Sequence, residues 1–71
     1  TPTELKLAGY FLKNQARQLS RDELREQVWG AGVSISDRVI DNQVSRLRSK
    51  MKESKYNIRS IRGVGYCFEK K

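Results

Sequence analysis

The sequence predicts an α+β fold, three helices followed by a C-terminal β-hairpin, on three observations. Residues 2–14 and 21–29 each open on a helix-capping signature and continue with apolar residues at helical spacing. Residues 37–53 place Ile40, Val44, Leu47 and Met51 at i, i+4, i+7 and i+11, one face of a third helix. Residues 58–69 change character: Ile58, Ile61, Tyr66 and Phe68 are strand formers around a Gly63-Val64-Gly65 reversal.

In the first helix Thr1 reads as the N-cap, Pro2 takes the first helical position and Glu4 completes a capping box. Leu5, Ala8, Phe11 and Leu12 are expected as its inner stripe. Gly9 costs about 1 kcal/mol relative to Ala inside a helix and reads as tolerated rather than required. The second helix repeats this grammar with Ser20 as cap, Glu23 three residues on, and Leu19 and Leu24 as a hydrophobic staple. Leu24 and Val28 point inward, and Trp29 covers the end of the core. Residues 30–36, GAGVSIS, form a loop, after which Ser36 is expected to cap the third helix and Ile35 to staple against Ile40. A hairpin alone is marginal in water, so Tyr66 and Phe68, two apart on one face, must pack on the helices.

At 71 residues and 37% hydrophobic content, the chain supports one small domain, 1–71, that buries about 60% of the surface its unfolded form exposes. Fifteen Lys and Arg stand against eight Asp and Glu, so the expected partner is polyanionic: nucleic acid, an anionic membrane or an acidic protein. The excess is uneven. Residues 1–35 carry a net charge of +1 and residues 36–71 a net +6, so the C-terminal half builds the basic surface. Cys67 is the only cysteine and no apolar run is long enough to span a membrane, which fits a reducing, cytoplasmic setting. With no His and a single Cys, a His-based triad and a Cys/His zinc site are excluded, and neither catalysis nor a cofactor or metal is expected.

The third helix carries the functional signal. With Arg38 at 0° and about 100° per residue, the apolar set clusters between about 180° and 240°. Arg38, Asn42, Ser45, Arg46 and Ser49 lie opposite, with Asp41 and Arg48 on one flank and Val39 and Gln43 on the other. Arg, Asn and Gln pair bidentately with base edges, and Ser is short enough for a helix to approach a groove wall. Arg38, Asn42 and Gln43 are therefore candidate base readers, while Arg46, Arg48 and Lys50 suit phosphates or longer reaches. The plain alternative, a solvated helix face, is weakened because no acid stands between Asp41 and Glu53. Val39 reads either as a peripheral core residue or as a contact to a thymine methyl. In the hairpin, Arg59 and Arg62 flank the strand leading to the tip, and Arg62 is placed to reach the adjacent minor groove or its phosphates.

The segments TPTE, LSRDEL, VWG, SDRVID, VSRLRSKM and IRGVGYCF, in this order and spacing, resemble the C-terminal effector domain of OmpR/PhoB-type response regulators over nearly the whole chain. That resemblance implies a winged helix-turn-helix that binds tandem direct repeats in double-stranded promoter DNA as a head-to-tail dimer and regulates transcription within a two-component phosphorelay. By position, Arg38, Asn42, Gln43 and Arg46 match groove-reading residues, Arg48 a backbone-contacting residue and Arg62 the wing arginine. It also implies a contact between RNA polymerase and Gly32, Val33 and Ser34 of the 30–36 loop. Asn42 and Gln43 stand where the family often has Val and His, and Cys67 where it often has Arg, so the preferred base sequence does not carry over. The receiver domain and the short four-stranded sheet that precede such a domain are absent from this sequence. Membrane-anchored regulators of the ToxR/CadC type share the same winged helix, and a winged-helix module that meets an acidic protein is the alternative from another class. With no exposed aromatic platform for base stacking, single-stranded RNA is a weak fit.

Overall fold

The computed structural model describes all 71 residues. Helix α1 (Pro2–Lys13) leads to a short strand β1 (Gln18–Ser20), helix α2 (Arg21–Leu24) continues directly into a π-helical segment (Arg25–Trp29), and α3 (Asp37–Lys50) precedes strands β2 (Tyr56–Ile61) and β3 (Gly65–Lys70). The three strands form one antiparallel sheet in the order β1-β3-β2. The expected α+β class, with three helices and a C-terminal hairpin, is what the chain adopts. The hairpin also gains a third strand, β1, which pairs Leu19 with Tyr66 and Ser20 with Gly65.

All three N-caps fall on the residues the sequence predicts, two of them with a side-chain hydrogen bond. The backbone N–H of Glu4 donates to Thr1 Oγ1 at 3.2 Å, and that of Glu23 to Ser20 Oγ at 3.0 Å. Ser36 occupies the N-cap of α3 without a side-chain hydrogen bond. The first turn of α3 is anchored instead by Arg25, which donates to Asp37 Oδ1 at 2.5 Å and to the Ile35 carbonyl at 3.1 Å. The α-helical part of α3 stops at Lys50 rather than near Glu53, and residues 51–53 form a turn.

The core joins Leu7 and Phe11 of α1, Leu24 and Val28, Ile40, Val44 and Leu47 of α3, Leu19 of β1, and Ile58, Tyr66 and Phe68 of the hairpin. Phe68 stacks between Phe11 and Tyr56, with ring centroids 5.6 and 4.9 Å away, so the hairpin is seated by aromatic packing. The inner stripe expected for α1 is displaced. Leu5 and Leu12 are 76% and 47% exposed, and the buried face is Glu4, Leu7 and Phe11. The charge of Glu4 conceals that face in the sequence. It is tolerated because Lys50, at the end of α3, donates to Glu4 Oε2 at 2.5 Å.

Gly65 closes the sheet where β3 leaves the hairpin turn, opposite Ile61 on β2 and Ser20 on β1. A Cβ there would lie 2.2 Å from the Leu19 carbonyl oxygen, so only glycine lets β1 approach β3 this closely.

Candidate nucleic-acid interface

Ile40 and Val44 are fully buried and Leu47 nearly so, so one side of α3 is docked against the core. The same docking turns Arg38, Asn42, Ser45, Arg46 and Ser49 to solvent, and all five are exposed. Val39 is 39% exposed beside them, at the border of the face rather than in the core. Gln43 is partly buried, and its Oε1 is shielded from solvent without a hydrogen-bond partner.

Ion pairing sharpens the electrostatics of this face. Glu23 pairs with Arg17, Asp22 and Asp37 with Arg25, Asp41 with Arg21, Glu4 with Lys50, and Glu69 with Arg59. Arg38, Arg46 and Arg62 have no carboxylate partner among these pairs. Six acids of the fold thus pair with other bases, Lys50 at the end of α3 among them, and leave Arg38, Arg46 and Arg62 without an ion-paired carboxylate, which concentrates positive potential along α3 and at the hairpin tip.

Arg62 is exposed in the turn between β2 and β3, at the tip. Gly63, with φ of 78°, takes the left-handed conformation the reversal needs. Arg48 and Lys50 are less free than the sequence suggests. Arg48 donates from Nε to the Ile58 carbonyl and from Nη2 to Ser60 Oγ, each at 3.0 Å, which ties α3 to β2. Lys50 is held by Glu4, and the hydrogen bond from that ammonium is the main cause that keeps the Glu4 carboxyl below its ordinary range. Gly32, Val33 and Ser34 are all exposed in the loop ahead of α3, Val33 by 41%.

Sequence reasoning passed over one group beside this face. Arg21 donates to both oxygens of Asp41, at 2.9 and 3.4 Å, and the Tyr66 hydroxyl donates to Asp41 Oδ1 at 2.5 Å. The Arg21 hydrogen bond is the leading cause that holds Asp41 below its ordinary pKa, and burial is the leading cause that pushes the Tyr66 phenol up. The available signal was Asp41 itself, the last acid of α3 before a run of bases.

A sequence profile of the family described as "Transcriptional regulatory protein, C terminal" matches residues 1–68. The phosphate regulon transcriptional regulatory protein PhoB of Pseudomonas aeruginosa is 38% identical over 71 residues, covering 99% of this chain and 31% of its own length. The crystal structure of the DNA-binding domain of Bacillus subtilis CssR is similar with a TM-score of 0.86 and 35% identity, over 96% of this chain and 75% of that one. The DNA-binding domain of response regulator AdeR, in complex with an intercistronic region, is similar with a TM-score of 0.83 and 28% identity, over 97% and 70% of the two chains. The chain spans about a third of the length of the curated relatives it matches.

Proposed function

Because the chain belongs to the family of transcriptional regulatory protein C-terminal domains, we propose that it is a sequence-specific, double-stranded DNA-binding module that regulates transcription as the effector part of a two-component response regulator. The observation that carries this reading is the solvent face of α3, where Arg38, Asn42 and Arg46 stand exposed on a helix locked to the core and the two arginines lack an ion-paired acid. They recur every fourth residue, rising about 6 Å per step. Laid in a major groove, where base pairs repeat about every 3.4 Å, the three sample a run of about four base pairs.

In this reading Arg38 and Asn42 read base edges, Gln43 assists from the flank, and Arg46 reaches bases and phosphates. Arg48 and Lys50 lie toward the phosphate backbone, and Arg62 enters the adjacent minor groove. Two copies bind head to tail on tandem direct repeats, and the exposed loop residues Gly32, Val33 and Ser34 meet RNA polymerase. The chain acts by binding rather than by catalysis, in the cytoplasm where promoter DNA is found. No helix in it is long and apolar enough to cross a membrane.

The test is selection from a pool of random duplexes followed by sequencing. Enrichment of a defined motif, arranged as a direct repeat, is the expected outcome. A bound pool with no enriched motif refutes base reading by α3, and binding of an acidic protein in its place supports the interaction-module alternative.

A further inference from the structure

We propose that Tyr66 and Arg48 are positioning residues that hold the hairpin tip at a set distance from the reading face of α3, so that Arg62 meets DNA in step with Arg38 and Asn42; this rests on the duplex-binding reading above. The side chains form an unbroken path through four elements. Arg21 of α2 holds Asp41 of α3, and Asp41 accepts the Tyr66 hydroxyl of β3 at 2.5 Å. The guanidinium groups of Arg21 and Arg48 lie 5.7 and 5.9 Å from the centroid of the Tyr66 ring. Arg48 then donates to the Ile58 carbonyl and to Ser60 Oγ, both on β2, with Ser60 two residues short of Arg62.

Topology makes this tie necessary. In the order β1-β3-β2, strand β2 pairs only with β3, so its outer edge has no neighbouring strand. The Ile58 carbonyl is satisfied across to α3 by Arg48 Nε. With β3 held by β1 and by aromatic packing but β2 untied, β2 and the tip it leads to would sample several angles relative to α3, and Arg62 would then bear an ordering cost each time DNA bound. Arg48, with Nε and Nη2 engaged inside the fold, pre-orders the tip and has only Nη1 left to offer a phosphate.

The experiment is a double-mutant cycle, read by fluorescence anisotropy on the duplex selected above. In the wild-type background Arg62→Ala is expected to weaken binding about tenfold. In a Tyr66→Phe background, which keeps the ring and removes the bond to Asp41, the same change should cost about threefold or less. Arg38→Ala serves as the control and should cost the same in both backgrounds, which a general loss of folding would not produce. If circular dichroism finds Tyr66→Phe unfolded, Ser60→Ala carries the cycle, since it removes one exposed bond from Arg48. An undiminished Arg62→Ala cost in the folded background overturns the proposal. Failure of the wild type to prefer any duplex refutes the duplex-binding reading itself, before any variant is compared.

Discussion

Gly65→Ala should be among the most damaging single substitutions in this chain, although it adds one methyl group. The new Cβ would sit 2.2 Å from the Leu19 carbonyl oxygen and 3.1 Å from Ser20 Cα, both backbone atoms of β1. No rotamer can relieve a backbone contact, so β1 must retreat from β3 by about 1 Å, an overpacking cost of about 1–3 kcal/mol. The φ of 155° adds strain for a side-chain-bearing residue, on the order of 1 kcal/mol. Leu19, wholly buried on β1, would be pulled from the core by the same movement. The combined loss, about 2–4 kcal/mol, is a large share of the roughly 4–11 kcal/mol expected for a domain of this length. At about 4–8 °C per kcal/mol, the midpoint of thermal unfolding followed by circular dichroism should fall by at least about 8 °C. A midpoint within about 3 °C of wild type would refute the claim that the close approach of β1 requires glycine here.

Gly9→Ala should act in the opposite direction: a Cβ at that position meets nothing within 4 Å, so the helix-propensity gain of about 1 kcal/mol appears as a midpoint raised by about 4–8 °C, and a lowered midpoint would contradict it. Glu4 and Asp41 are both held below their ordinary pKa values of 4.5 and 3.8, so the unfolded chain takes up protons first on acidification. Stability from these pairs is therefore complete above about pH 5 and is lost as pH falls through the folded-state values; thermal scans at stepped pH should record this decline, and Glu4→Gln or Asp41→Asn should flatten it. Arg46→Ala should weaken binding to selected and scrambled duplexes together and reduce the salt slope by about 1, whereas a loss confined to the selected duplex would make Arg46 a reader of bases alone.

The parts of the fold that local chemistry dictates were legible in the sequence, and those set by distant partners were not. The buried face of α3 could be read because Ile40, Val44 and Leu47 face a single direction and nothing polar interrupts them. The face of α1 could not, because apolar residues at 5, 7, 8, 11 and 12 spread over an arc of about 160°, and the choice among them depends on Glu4 meeting Lys50 across 46 positions. Strand β1 has three residues, too few for alternation to register, and exists through pairing with β3. The π-helical turn at Arg25–Trp29 leaves no mark in the sequence pattern. On the candidate interface, residue type and helical spacing identified the exposed members, Arg38, Asn42 and Arg46. They could not reveal that Arg48 and Lys50 are drawn into contacts inside the fold, since Ser60 and Glu4 become their neighbours only after folding.

Specific reading of duplex DNA by α3 is tested most directly by titrating wild type and Asn42→Ala against the selected duplex and a scrambled one across a salt series. Wild type should bind the selected duplex with a slope of log K on log salt of about −3 for each bound copy, from phosphate contacts by Arg46, Arg48 and Arg62. Asn42→Ala should keep that slope, because Asn carries no charge, and lose about 1–3 kcal/mol on the selected duplex alone. Equal losses on both duplexes, or a wild type that binds the two alike at every salt concentration, would contradict the assignment of α3 as the reader of base sequence.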